Sequence, residues 1–146
     1  MVTPQRFVLH PQLQQDTIAL GRMDLCQVLL MNDSQFPWLI LVPEIADIRE
    51  LFQLNQQQRQ MFMEESCHLA ETISVIYHAD KINIGAIGNM VPQLHIHHIV
   101  RFRNDKLWPA PIWGKLPAVP YTDQQLAEQT ALLKQQLSLN PLVLGD

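Results

Sequence analysis

The residues with the clearest chemical potential lie between positions 92 and 101, where the chain reads Pro-Gln-Leu-His-Ile-His-His-Ile-Val-Arg. Three of the six histidines of the chain fall within four positions of this apolar stretch. Because side chains alternate between the two faces of a β-strand, His95 and His97 should share a face with Gln93, with about 6.7 Å between successive members. His98 should point to the opposite face.

Two imidazoles and an amide on one strand face can hold an anion, coordinate a metal ion or supply a nucleophile. A single histidine in an apolar stretch is more often a buried structural residue that bonds a backbone carbonyl. Two histidines on one face, next to a glutamine and followed by Arg101, favour a functional site.

The apolar patterns around this segment predict the elements that must position it. A hairpin is predicted from residues 25–31 and 36–43 around the turn-forming Asn32-Asp33-Ser34, and a second antiparallel pair from residues 81–87 and the histidine strand through about Phe102. Helical spacing predicts a long helix over residues 56–78 and a second helix that opens at Thr122 and continues to about Leu137. These elements indicate an α+β fold with an antiparallel sheet and helices on one face.

Composition limits the classes of function. With 146 residues, 47% hydrophobic and 16% charged, the chain should form one domain and leave apolar surface for a partner. A net charge of −4 argues against binding to a nucleic-acid polymer. Cys26 and Cys67 form no paired motif and are predicted to be small core residues. No leader segment or membrane span is evident, so we expect a cytoplasmic protein without membrane contact.

Residues 88–99, Gly-Asn-Met-Val-Pro-Gln-Leu-His-Ile-His-His-Ile, resemble the signature of the histidine triad (HIT) superfamily, His-x-His-x-His followed by two apolar residues. The order of hairpin, long helix, Asn-Ile-Gly strand and arginine after the triad also resembles the family over roughly residues 25–103. This alignment places Gln93 at the first triad position, His95 at the second and His97 at the third. A fourth histidine that is frequent in the family is replaced by Leu39 or Trp38.

The resemblance implies a HIT-like fold with one long middle helix and a C-terminal helix. We therefore expect a single domain over residues 1–146, with a core of about 16–103 and a C-terminal extension of 104–146. Trp108 and Trp113 lie in that extension, in a segment whose prolines argue against regular secondary structure. Their indoles should either form a wall of the pocket or its mouth, or bury the proline-rich tail.

The resemblance also implies a chemistry, nucleotidyl transfer. In it, His95 attacks the α-phosphorus of a nucleoside phosphate derivative, and the resulting nucleotidyl-histidine is hydrolysed by water. His97 would donate to a phosphate oxygen, and Gln93 would orient its neighbours or the leaving group without acting as an acid. The resemblance also implies that either Asn32 or Asp33 binds the ribose hydroxyls, and that Asn89 and Arg101 contact the phosphate.

The leading hypothesis is a HIT-type nucleotide hydrolase or nucleotidyl transferase that cleaves a nucleoside phosphoramidate or a dinucleoside polyphosphate without a cofactor or metal. The alternative is a degenerate HIT domain that binds purine nucleotides with little or no turnover. A metal site built on His95 and His97 is a third possibility, since alternating histidines also suit zinc. The family resemblance further implies a homodimer.

Overall fold

The computed structural model describes residues 6–143. The five strands are β1 (Thr17–Arg22), β2 (Cys26–Met31), β3 (Trp38–Pro43), β4 (Lys81–Gly85) and β5 (Ile96–Arg101). The three α-helices are α1 (Pro11–Asp16), α2 (Gln56–Tyr77) and α3 (Asp123–Leu137), and a 3-10 turn covers Leu51–Gln53.

All five strands form one antiparallel sheet in the order β1-β2-β3-β5-β4. The two predicted antiparallel pairs are confirmed as β2–β3 and β4–β5, and the sheet joins them by placing β5 against β3. In this register His97 lies between Ile40 and Gly85, and His98 lies between Leu39 and Ile84. The histidine strand is therefore internal to the sheet, where its backbone is paired on both sides.

One face of the sheet is covered by the two long helices, as predicted. The α2 helix buries Phe62, Ser66, Leu69 and Ile73, which follow the spacing of one helical face. Leu133 and Leu137 of α3 join the same apolar cluster. The α+β architecture with a long middle helix and a C-terminal helix is thus confirmed. Between residues 6 and 143, no helix is both long and apolar enough to cross a membrane.

The opposite face of the sheet is covered by smaller pieces of chain. Leu13 of α1, a helix that the sequence pattern did not predict, packs against Leu29, Ile40 and Val42. Nearer the histidines, Phe36 and Ile112 pack against Ile99 of β5, the latter from the C-terminal segment. This thinner cover leaves room for clefts next to His95.

One of the two cysteines differs from its predicted placement. Cys26 in β2 is fully buried, as predicted, and burial raises the pKa of its thiol. Cys67 is exposed, so the prediction of a core residue is wrong there. Ser66 and Leu69 occupy the buried stripe of α2, and the rotation of about 100° per helical residue turns position 67 towards solvent.

Candidate active site

His95 lies immediately before β5, and its side chain is only 6% exposed. Its Nδ1 is 2.7 Å from the backbone carbonyl oxygen of Gln93. Because a carbonyl oxygen only accepts hydrogen bonds, Nδ1 must carry the proton in this contact. When the ring is neutral, its lone pair is therefore on Nε2, the state that a nucleophilic imidazole requires.

The neutral His97 ring is held in the opposite tautomer. The indole N–H of Trp38 donates to His97 Nδ1 at 2.9 Å, so the proton of the neutral ring is on Nε2. Burial, together with the neighbouring His95 and His98, lowers the pKa of His97 to about 3 from an ordinary 6.5. At neutral pH this side chain is therefore an uncharged hydrogen-bond donor through Nε2.

The rings of His95 and His97 face each other edge to face, with centroids 5.0 Å apart. Trp38 and Trp113 pack on His97 at 5.6 and 5.7 Å between ring centroids. Trp113 approaches so closely that a Cβ at Gly85 would lie 3.2 Å from its ring. The sequence analysis missed the role of Trp38, which it mentioned only as a place where a histidine was expected.

His98 belongs to the other face of the sheet, as predicted. It is fully buried against α2, where its Nε2 lies 2.7 Å from the Ser66 hydroxyl. Its Nδ1 donates to the Ile96 carbonyl at 3.1 Å, so Nε2 accepts from the serine. Burial lowers the pKa of His98 to about 4 from 6.5. This histidine is part of the core and does not reach the pair formed by His95 and His97.

The Gln93 side chain is fully engaged with the N-terminal segment. Its Oε1 accepts the backbone N–H of His10, and its Nε2 donates to the carbonyl of Val8, both at 2.9 Å. Its backbone carbonyl meanwhile orients His95. Gln93 therefore holds residues 8–10 beside His95, through contacts across 83 residues or more that no local sequence pattern reveals.

A cleft with a volume of about 200 Å³ opens at His95. Gln93 and Asn89 line it, so the structure brings together three of the predicted site residues. Arg49 and Glu50, which the sequence analysis did not single out, line it as well. The cleft thus brings His95 together with two amide residues, Gln93 and Asn89, and with Arg49.

Asn32 and Asp33 line a different cavity, of about 420 Å³, together with Trp38. The side-chain oxygen of Asn32 accepts the backbone N–H of Tyr121 at 3.0 Å. The buried Asp33 accepts the backbone N–H and the side-chain amide of Gln35, each at 3.1 Å. Both side chains organise the turn and the C-terminal segment, and Trp38 connects their cavity with His97.

Arg101 is not directed into either cavity. The residue is only 1% exposed. Its guanidinium donates to both carboxylate oxygens of Asp105, at 2.8 and 3.1 Å, and to the side-chain oxygen of Asn83, at 2.8 Å. It also lies over the rings of Phe36 and Trp108, at 5.9 and 5.7 Å. These contacts anchor the end of β5, and they occupy the guanidinium that the sequence analysis expected at a phosphate.

Across residues 6–143, no group of three or more histidine, cysteine, aspartate or glutamate side chains is arranged to hold a metal ion. His95 and His97 alone would supply two ligands, fewer than the three protein ligands typical of catalytic zinc.

Two of the three buried histidines, His97 and His98, predict an acid-sensitive fold. Both have a pKa of 6.5 when unfolded and a lowered pKa, about 3 for His97 and about 4 for His98, when folded. Between pH 6.5 and 4 the unfolded chain therefore binds more protons than the folded chain. Their contribution to stability is complete above pH 6.5 and falls with pH, by about 1.4 kcal/mol per pH unit for each histidine. Urea unfolding at several pH values measures this slope.

A pair of variants isolates the effect. His98→Gln should reduce the slope by about 1.4 kcal/mol per pH unit, because one titrating group is gone. His68→Gln, at an exposed position of α2, should leave the slope unchanged. Asp105 keeps its charge over this range because the hydrogen bond from Arg101 lowers its pKa to about 2. Equal slopes in the His98 variant and the wild type would contradict the assignment.

Comparison with known proteins identifies the family of this chain. The HIT domain family matches residues 12–104. A histidine triad protein from Marinobacter aquaeolei VT8 is 49% identical, with a TM-score of 0.90 over 92% of this chain and 98% of that chain. A histidine triad protein from Sinorhizobium meliloti 1021 is 42% identical, with a TM-score of 0.87 over 89% and 96% of the two chains.

A third solved structure, a histidine triad protein from Bradyrhizobium japonicum, is 34% identical, with a TM-score of 0.89 over 91% of this chain and 99% of that chain. No curated protein matches the chain significantly. The family match covers more than half of the chain, and the similarity to these three structures extends over nearly all of it. The chain therefore belongs to the HIT domain family of histidine triad proteins.

Proposed function

We propose that this protein is a nucleotide hydrolase or nucleotidyl transferase that cleaves its substrate at the α-phosphorus, with His95 as the nucleophile. One observation carries the proposal: the two site histidines are held in opposite tautomers. The Gln93 carbonyl leaves the lone pair of His95 on Nε2, whereas Trp38 leaves the proton of His97 on Nε2. A nucleophile and a hydrogen-bond donor thus stand side by side, with their ring centroids 5.0 Å apart.

The proposed reaction has two steps. His95 Nε2 forms a bond to the α-phosphorus while the bond to the leaving group breaks and its electron pair departs with that group. Water then attacks the same phosphorus and releases a proton to the solvent, while the electron pair of the N–P bond returns to Nε2. The negative charge on the phosphoryl oxygens in each transition state is stabilised by the Nε2–H of His97 and by the Asn89 amide.

The other predicted contacts fit this proposal to different degrees. Asn32 and Asp33 line the cavity on the Trp38 side and supply polar groups for the ribose hydroxyls of a purine nucleoside. Gln93 positions His95 and the N-terminal segment through its backbone and its amide. Arg101 stabilises β5 and has no direct part in binding phosphate, because its guanidinium is buried and bonded to Asp105 and Asn83.

The direct test is to incubate the protein with adenosine 5′-phosphate esters, anhydrides and amidates and to measure the release of AMP. Rapid quenching followed by mass spectrometry should find an acid-labile adenylyl group on His95. Absence of both AMP release and the adduct with every compound would overturn the proposal.

A second function, binding of purine nucleotides with little or no turnover, is favoured by one observation. The Gln93 amide is bound to residues 8 and 10, so the first triad position supplies no titratable group at the cleft. Calorimetric binding of AMP without cleavage of any of the compounds above would select this alternative.

We also propose a homodimer in which β4 pairs with its copy. β4 is an edge strand, and the exposed side chains beside its free edge include Ile84, Ile87 and Met90, at 51%, 45% and 93% exposure. Light scattering at micromolar concentration should give twice the chain mass, and Ile84→Asp should give the monomer. Val119→Asp, at a similarly exposed position of the C-terminal segment, should remain dimeric. A monomeric wild type would exclude the dimer.

A further inference from the structure

We infer that the site is specialised for leaving groups that depart as stable anions, such as phosphoanhydrides, acyl phosphates and activated esters, and that it cleaves phosphorus–nitrogen bonds poorly. This inference rests on the proposed function and selects between the substrate classes that the family resemblance leaves open. It rests on the hydrogen bonds of the Gln93 and His97 side chains. Because of these bonds, neither side chain can act as an acid that protonates the leaving group.

Gln93 stands at the first triad position but has no proton to transfer. An amide is not a general acid near neutral pH, and both polar atoms of this one are already bonded, to the backbone of Val8 and of His10. Reorienting the side chain to meet a leaving group would release the N-terminal segment. Gln93 is therefore a positioning residue.

His97 is also excluded as an acid, because of Trp38. An indole nitrogen donates and cannot accept, so Trp38 holds His97 Nδ1 as an acceptor. To become an imidazolium, His97 would have to gain a proton on that same nitrogen, which breaks the bond and creates a charge in a buried place. A histidine at position 38 would be able to exchange the proton, whereas tryptophan cannot.

The other ionisable groups near the cleft do not replace these two. The Arg49 guanidinium and the exposed Glu50 line the cleft with His95. A guanidinium does not lose its proton in proteins, and an ionised carboxylate only accepts. Arg49 also lines an adjoining cavity of about 290 Å³ with His10 and the exposed Asp47. The permanent positive charge of Arg49 at the cleft favours a leaving group that departs as an anion.

His10 is the remaining ring in the neighbourhood, but it lines the adjoining cavity and is absent from the lining of the His95 cleft. Its Nδ1 accepts the backbone N–H of Gln12 at 3.1 Å and caps α1. A second proton on this ring would break that cap. While it caps α1, the neutral His10 ring carries its proton on Nε2.

The chemical consequence follows from where the electron pair goes. When a phosphorus–oxygen bond to a carboxylate, a phosphate or a nitrophenolate breaks, the pair rests on an oxygen that is stable as an anion, and no proton is needed. When a phosphorus–nitrogen bond breaks, the nitrogen must receive a proton, because an amide anion is too basic to depart. A site without an acid therefore discriminates against amidates, by about the 10²- to 10⁴-fold that general acid catalysis contributes.

Two adenosine compounds with leaving groups of similar size test the inference: the p-nitrophenyl ester of AMP and AMP morpholidate. The wild-type protein should cleave the ester with a kcat/KM at least about 100-fold above that for the morpholidate. In Gln93→His, which restores an acid at the first triad position, the rate for the morpholidate should rise by at least about 10-fold relative to the rate for the ester.

Matched variants distinguish the gain of a general acid from the loss of the hydrogen bonds that the replaced side chains make. Gln93→Ala removes the same two bonds to the N-terminal segment without adding an acid, and it should not gain activity on the morpholidate. Trp38→His should gain activity on the morpholidate, because Trp38 is the indole that bonds His97. Trp113 packs on His97 but gives it no hydrogen bond, so Trp113→His should not gain this activity. His10→Gln should keep the ratio between the two substrates within about 3-fold of the wild type.

The outcomes are distinguishable. No cleavage of either compound, nor of the wider set above, would overturn the proposed function and this inference with it. Cleavage of both compounds at similar rates by the wild type would overturn this inference alone. It would equally fail if Gln93→Ala gained as much morpholidate activity as Gln93→His, or if His10→Gln lost morpholidate activity selectively.

Discussion

His95→Ala should lose nucleotidyl transfer by about 10³-fold or more and should no longer form the adenylyl adduct. The loss follows from the chemistry, because the variant has no nitrogen that can bond to phosphorus. The variant should bind AMP about as well as the wild type, since the nucleoside cavity is lined by other residues, among them Asn32 and Trp38. The rate of AMP release, the quenched adduct and calorimetric binding of AMP are the three measurements.

His97→Ala provides an informative comparison because it removes a hydrogen-bond donor rather than the nucleophile. It should lower the rate by about 10²- to 10³-fold, typical for one donor to a developing anion, and still form the adduct. The assignment of roles would be contradicted if His95→Ala still accumulated the adduct, or if the two variants exchanged these phenotypes.

Asp105→Ala should lower the free energy of unfolding by about 3–5 kcal/mol, because it leaves the buried Arg101 guanidinium without its counterion. The two side chains are 1% and 5% exposed, so water does not replace the lost carboxylate. Asp105 also accepts the backbone N–H groups of Phe102, Leu107 and Trp108. One side chain thus holds the end of β5 and the start of the C-terminal segment that carries Trp113.

A surface carboxylate provides the control for this experiment. Asp80 accepts the backbone N–H of Arg103 at 2.8 Å in an exposed contact, so Asp80→Ala should cost no more than about 1 kcal/mol. Urea denaturation of the wild type and both variants at pH 7 measures the difference. If the two variants were equally stable, the ion pair between Arg101 and Asp105 would contribute no more to stability than an exposed contact does. Its proposed role in holding the end of β5 would then be wrong.

The elements themselves were largely predictable from the sequence. The hairpin around Asn32, the helix over residues 56–78 and the helix that begins after Thr122 correspond to β2–β3, α2 and α3. Each depends on a local signal, either turn-forming residues or apolar side chains at a regular spacing, and such signals survive without tertiary context. The short α1 was missed because six residues carry too little periodicity to be distinguished from irregular chain.

The separation of His95 and His97 from His98 was also determined by the sequence, since strand alternation places neighbouring residues on opposite faces. The same alternation did not show which face holds the site. That depended on the packing of α2 and its Ser66 hydroxyl against His98, which leaves His95 in the lining of the cleft and His97 in contact with His95.

Tertiary structure alone decided the protonation of the site and the fate of two predicted contacts. The tautomer of His97 depends on Trp38 from β3, the Gln93 amide is taken by residues 8 and 10, and the Arg101 guanidinium is taken by Asp105 and Asn83. Hydrogen bonds are directional and saturable, so the partner that a polar side chain finds determines what it can still do. The sequence by itself determined which side chains are available for chemistry, and the fold decided which of their atoms remain free, because those partners come from strands and segments distant in the chain.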